Sequence, residues 1–178
     1  MSWSDVTRRA ALAGLAALPL GGCLRPLYGP TAMGGADMAA ELRAIAVDPI
    51  PDRFGHYLGN ELIFALNGTG TPGPVKYRLL AAVTSRVQTP IIDTVTSRAS
   101  AATVWAEATY IVTPAAGGAP VAQGKVSSVA DYDRFAQRYA NIRAARDAEI
   151  RAAKSLADQI RLRIAADFAG KGRAPWPR

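Results

Sequence analysis

Residues 75–87 read VKYRLLAAVTSRV, and their side chains alternate. Val75, Tyr77, Leu79, Ala81, Val83 and Val87 fall on one side, and Lys76, Arg78, Thr84 and Arg86 on the other. Successive strand side chains point to opposite faces, so this pattern describes a half-buried strand with a basic outer face. A sheet with one apolar face needs a second layer to cover it. The remaining sequence must therefore supply both partner strands and a cover.

Partner strands follow at once. From Thr103 to Val112, Val104, Ala106, Ala108, Tyr110 and Val112 alternate with Thr103, Trp105, Glu107, Thr109 and Ile111. The turn-rich PAAGGAP of residues 114–120 leads into a strand over residues 121–130, in which Lys125 and Ser127 face away from Val126 and Ala130. Together these three strands predict an antiparallel meander.

The cover comes from helical spacing. Ile142, Ile150, Ala153, Leu156, Ala157, Ile160, Ile164 and Phe168 share one stripe of a helix running from Asn141 to Phe168, about 42 Å long at 1.5 Å per residue. A second helix is expected from Phe54 to Leu66, with Phe54, Tyr57, Leu58, Leu62 and Ala65 at three- and four-residue spacings, Asp52 as its cap and Asn67-Gly68 as its end. The NGTGTPGP of residues 67–74 is a connector, and no Gly-Lys-Ser/Thr follows to make it a phosphate-binding loop. Residues 42–47 alternate as a first, internal strand, stopped by Pro49 and Pro51. The element order β-α-β-β-β-α gives an α/β (α+β) sandwich, a four-stranded, mostly antiparallel sheet with two helices packed on it.

Ahead of this domain lies a different kind of segment. Arg8 and Arg9 form a positive head, Ala10 to Leu20 an apolar stretch too short to span a bilayer, and Gly21-Gly22 a small-residue exit. This is the layout of an export signal. Cys23, the single cysteine of the 178 residues, follows immediately, where no internal disulfide can explain it. Leu20-Gly21-Gly22-Cys23 resembles the bacterial lipobox, in which the chain is cut before the cysteine and the thiol carries a diacylglycerol. That resemblance implies a leader over residues 1–22, a lipidated tether over 23–38, a domain over 39–170 and a basic tail over 171–178. Leu24, where retained lipoproteins carry Asp, points to the outer membrane. Arg8-Arg9 partly resembles a twin-arginine signal as well, which leaves the export route open.

Charge and composition narrow the function. Losing residues 1–22 removes two arginines and one aspartate, so the net +7 falls to +6. In an envelope protein such a surplus suggests an acidic partner and argues against nucleic acid. Catalysis is disfavoured: the single histidine, His56, sits on a helix without a converging acid or nucleophile, and no HExxH, CxxC or GxSxG is present. Neither metal nor cofactor is expected beyond the covalent lipid on Cys23.

Cys23-Leu24-Arg25-Pro26-Leu27-Tyr28-Gly29, Tyr132-Asp133-Arg134-Phe135, Tyr139-Ala140 and the run from Asp147 to Phe168 containing Ala157-Asp158-Gln159-Ile160 resemble the lipopolysaccharide-assembly lipoprotein family LptE, in its alphaproteobacterial form. The resemblance implies a lipid-anchored outer-membrane protein that plugs the barrel LptD, helps it fold and takes part in delivering lipopolysaccharide to the outer leaflet. The alternative is a lipoprotein carrier that holds an anionic lipid in its own cavity. For lipopolysaccharide phosphates the candidate ligands are Lys76, Arg78, Arg86, Arg98 and Lys125, which a meander could gather into one basic patch. Solubilising charges scattered over the strands would read the same way.

Overall fold

The computed structural model describes residues 38–68, 73–89, 92–93 and 98–170. The leader, Cys23, the tether up to residue 37 and the tail from 171 lie outside the described residues. In chain order the elements are α1 (Met38–Arg43), β1 (Ile45–Val47), α2 (Asp52–Asn67), β2 (Tyr77–Gln88), β3 (Ile92–Asp93), β4 (Arg98–Ala99), β5 (Ala101–Pro114), β6 (Ala122–Asp133) and α3 (Arg138–Gly170). The main sheet has the order β1-β2-β5-β6. β1 runs parallel to β2, while β2, β5 and β6 are antiparallel. This is the expected α/β sandwich with one helix more than the sequence suggested.

The extra helix begins at Met38, where the tether was expected to end, and takes the first two residues of the expected strand, Leu42 and Arg43. Met38 and Leu42, four residues apart, are both buried, which is helical and not strand spacing. Arg43 closes α1, so only Ile45–Val47 remain extended. β1 also lies at the edge of the sheet and not inside it. After the Asp48 N–H donates to the Leu79 carbonyl at 2.9 Å, Pro49 offers no N–H and the ladder stops.

α2 ends as anticipated: Gly68, at φ 62°, donates its N–H to the Phe64 carbonyl at 2.8 Å. Its start differs. Asp52 adopts φ 69° and makes no capping bond, and Pro51 takes the cap position, where the expected side-chain cap is missing. Phe54, Gly55, Leu58, Leu62 and Leu66 turn inward, whereas Ile63 and Phe64 remain exposed.

β5 carries the centre of the core. Val104, Ala106, Ala108, Tyr110 and Val112 are each at most 2% exposed, and their alternation matches the sequence reading residue by residue. On β2 the match is partial: Leu79 and Ala81 are buried, but Val87 near its far end is more than half exposed, as is Val75, which lies before the strand begins. The helices cover β2 from Tyr77, whose ring centre lies 5.2 Å from that of Phe168, and the far end of the strand overhangs them.

The hairpin joining β2 to β5 is longer than expected. Gln88 pairs with Thr103, Ile92 with Ala99 and Asp93 with Arg98, so one register runs through all three pairs. Arg98, expected in a plain connection, therefore belongs to an extended two-stranded arm.

α3 has 33 residues, about 50 Å of helix. Its buried ridge is Ala148, Ala152, Leu156, Ile160, Ile164 and Phe168, at a strict spacing of four, with Ala153, Ala157 and Ala165 beside it. Each step of four advances about 40° around the axis, so the ridge winds as it crosses the sheet. Ile142 and Ile150 were expected on this stripe but are 48% and 38% exposed. A straight projection cannot follow a winding ridge, and near the helix start the inward side has rotated onto Ala148 and Ala152.

Candidate functional site

With α2 and α3 on one side of the sheet, no described element covers its other face. The strand register arranges that face in rows: Leu80, Ile111 and Gln123; Ala82, Thr109 and Lys125; Thr84, Glu107 and Ser127; Arg86, Trp105 and Val129. Leu80 is 59% exposed and Val129 50% exposed, so the face mixes uncovered apolar and polar groups.

The five basic candidates do not meet in one patch. Lys76 donates to Glu41 Oε1 at 2.6 Å, and Arg78 Nη2 to Asp48 Oδ1 at 2.9 Å, both at the β1 end. The hydrogen bond and charge of Glu41 hold the Lys76 ammonium above its ordinary pKa of 10.5. Lys125, two strands away, pairs with Glu107 at 2.7 Å. Glu107, which the sequence leaves without an acidic neighbour, thus serves as a cross-strand counter-ion. Arg86 lies eight residues beyond Arg78 on β2, about 27 Å away. Its guanidinium stands 5.3 Å from the centre of the Trp105 ring, within cation–π range. Arg98 lies on β4, further out along the arm.

In the sequence Trp105 is one aromatic among strand residues, where packing is the usual role. The structure instead makes it a partly exposed platform under Arg86. The register of two alternating strands could have revealed the pairing, because Arg86 stands directly opposite Trp105.

The edge of β6 is closed in an unexpected way. Arg163 Nη1 donates to the Lys125 carbonyl at 2.7 Å, Gln159 Nε2 to the Ser127 carbonyl at 3.0 Å, and Arg151 Nη2 to the Asp131 carbonyl at 2.8 Å. These acceptors would otherwise offer themselves to another strand, so α3 shields the edge with its own side chains. A further tie joins the two long helices, where Arg53 Nη2 donates to Glu149 Oε1 at 2.7 Å.

His56 is exposed on α2 and lies 3.2 Å from Asn60 Nδ2. Among the described residues no three His, Cys, Asp or Glu side chains are grouped to hold a metal. Nor is any described helix long and apolar enough to cross a membrane.

Similarity to known proteins agrees with this architecture. A protein of Caulobacter crescentus CB15 assigned as a lipoprotein, known from its crystal structure, aligns with a TM-score of 0.61 at 26% identity, over 75% of this chain and 96% of its own. The minor lipoprotein of Acinetobacter baumannii shares the fold at a TM-score of 0.52 and 15% identity, over 69% of this chain and 90% of its own. No curated protein matches the chain in sequence. The sequence profile of the lipopolysaccharide-assembly family LptE matches residues 42–164, from α1 through most of α3, and the chain belongs to that family.

Proposed function

We propose that the protein is an outer-membrane lipoprotein, cut before Cys23 and acylated on that thiol, that sits as a plug in the LptD barrel and takes part in moving lipopolysaccharide to the outer leaflet. Family membership supports a role in lipopolysaccharide assembly. The observation that carries the finer reading is the sheet with one covered and one open face. Its open face mixes Leu80, Ile111 and Val129 with Thr109, Glu107 and Lys125. Such a surface suits the polar interior of an outer-membrane barrel. Two or more acyl chains on Cys23 would supply stable anchoring without a membrane-crossing helix.

The carrier alternative has less behind it. Between the layers the space is filled by Leu58, Leu62, Leu79, Tyr110, Leu156, Ile160 and Ile164, all at most 2% exposed. A depression of about 600 Å³ beside Val121 and Asp167 has the volume of a site for one drug-sized molecule. An amphiphile with several acyl chains needs more.

Affinity purification from detergent-solubilised outer membranes tests the reading. A one-to-one complex with the barrel is expected, and Cys23→Ala should abolish fatty-acid labelling. Isolated protein that carries lipid without a barrel would favour the carrier, and equal labelling of both chains would remove the lipoprotein.

A further inference from the structure

The first ten residues of α3 bury no side chain. In this overhang Arg138, Tyr139, Ile142, Arg143 and Arg146, joined by Ile150, fall within an arc of about 140° at 100° per residue. The arc points away from the inward ridge that begins at Ala148. Tyr139 is 73% exposed and Ile142 48% exposed. Phe135, 52% exposed, stands at the head of the helix. Asn141 fixes it there: its Oδ1 accepts the Phe135 N–H and its Nδ2 donates to the Phe135 carbonyl, both at 2.6 Å.

Up to Arg146 the charge on this surface has one sign, and Glu149, which also falls in the arc, is engaged by Arg53 of α2 at 2.7 Å. From Arg134 to Arg146 the sequence holds four arginines and no acid. Among the described residues none of these four side chains is ion-paired, and the next acid, Asp147, is engaged by Arg151 at 2.8 Å. Arginine set beside exposed aromatic and branched apolar groups on one helix face joins the two attractions a membrane surface offers, that of anionic lipid for basic charge and that of the headgroup boundary for apolar tips. The guanidinium forks reach lipid phosphates while the apolar tips enter the headgroup boundary.

We infer that this face docks on the surface of an anionic glycerophospholipid bilayer. An acidic protein is the competing occupant. Its counter-charges would be met by arginines closed around one apolar centre, whereas here the apolar groups run on past the last arginine to Ile150, along about 18 Å of helix, as contact with an extended plane favours. The docking depends neither on acylation of Cys23 nor on the barrel.

The test uses the mature chain, residues 23–178 without the leader and carrying Cys23→Ala, sedimented with vesicles of phosphatidylcholine alone or mixed equally with phosphatidylglycerol. Binding is expected on the mixed vesicles and should fall as salt rises. The combination Arg138→Glu, Arg143→Glu and Arg146→Glu should weaken it about 100-fold or more, given the attraction of each basic residue to an anionic surface. Tyr139→Ser with Ile142→Ser should weaken binding at every salt concentration without moving the melting curve. Replacing the three arginines by Gln serves if the Glu combination fails to fold. Equal binding of parent and arginine variant, or no preference for the mixed vesicles, overturns the inference. Loss of barrel co-purification with vesicle binding intact assigns the face to a protein instead and also overturns it. Failure of barrel co-purification in the parent itself bears on the proposed function alone.

Discussion

Tyr110 occupies the space that a side chain at Gly124 would need. The two residues are paired across β5 and β6, and a Cβ built on Gly124 would lie 2.9 Å from the Tyr110 hydroxyl oxygen and 3.1 Å from two ring carbons. Tyr110 is 2% exposed, so the ring has little room to retreat. Glycine weakens a strand on its own, but here it admits the largest of the fully buried side chains.

Gly124→Ala should therefore destabilise the domain by about 1–3 kcal/mol, the usual cost of overpacking, despite alanine's lower backbone entropy cost. Denaturant melting of the protein gives the value. Tyr110→Leu combined with Gly124→Ala should cost less than the two changes added together, because the smaller side chain vacates the contested space.

Tyr110 also sets a pH dependence. Burial, reinforced by the charge of Asp167, raises its pKa above the ordinary 10.0. The folded protein then holds the phenol proton more firmly than the unfolded chain does. The stability from this group is complete below pH 10 and is lost as pH rises through the folded value. Tyr77, raised mainly by its own burial, has the same sign. Melting temperature should fall above about pH 10, and Tyr110→Phe should make that fall shallower. An unchanged slope would mean that the hydroxyl titrates freely in the folded state.

The winding ridge of α3 makes a sharper mutational contrast than a straight stripe would. Leu156 and Ile160 are fully buried, so truncation of either to Ala should cost about 2–5 kcal/mol. Ile142→Ala and Ile150→Ala should each cost less than about 1 kcal/mol, because the exposed side chains leave little cavity. Equal losses at Ile150 and Ile160 would place Ile150 back in the core.

That contrast also marks how far the sequence could be read. Strand alternation at residues 103–112 was legible because a period of two does not drift: the inner face of β5 stays inner over its whole length. The α3 stripe was legible from Ala153 to Phe168 and failed at Ile142 and Ile150, since the helical period does not match the four-residue ridge and the error grows toward the start. Leu42 and Arg43 misled because the alternation of residues 42–47 took them into a strand, and the deciding signal was the burial of Met38 with Leu42 one helical turn away. At the site, the basic residues were visible but their neutralisation was not. Glu41 lies 35 positions from Lys76, and Asp48 lies 30 from Arg78. Such pairing depends on β1 lying beside β2, which no local pattern announces.

The same pairing changes what the basic candidates can do for lipopolysaccharide. Lys76, Arg78 and Lys125 already spend their charge on Glu41, Asp48 and Glu107, and a phosphate would have to compete with these carboxylates. Arg86 has no ion pair among the described residues and keeps its donors turned over Trp105. Of the candidates with described side chains, it is the best placed to take a phosphate oxygen. Arg86→Glu should weaken lipopolysaccharide binding by the unanchored protein about tenfold or more, the worth of one charge-assisted hydrogen bond. Lys125→Gln should have a smaller effect, and Lys76→Gln and Arg78→Gln smaller still, with melting curves close to wild type because exposed pairs contribute little. Binding that falls between 0.1 M and 1 M salt in the wild type, and falls less in Arg86→Glu, would identify the electrostatic share. If Arg86→Glu binds as tightly as wild type while Lys125→Gln does not, the phosphate contact belongs at the Glu107–Lys125 pair, and the carboxylate there must be displaced when ligand binds.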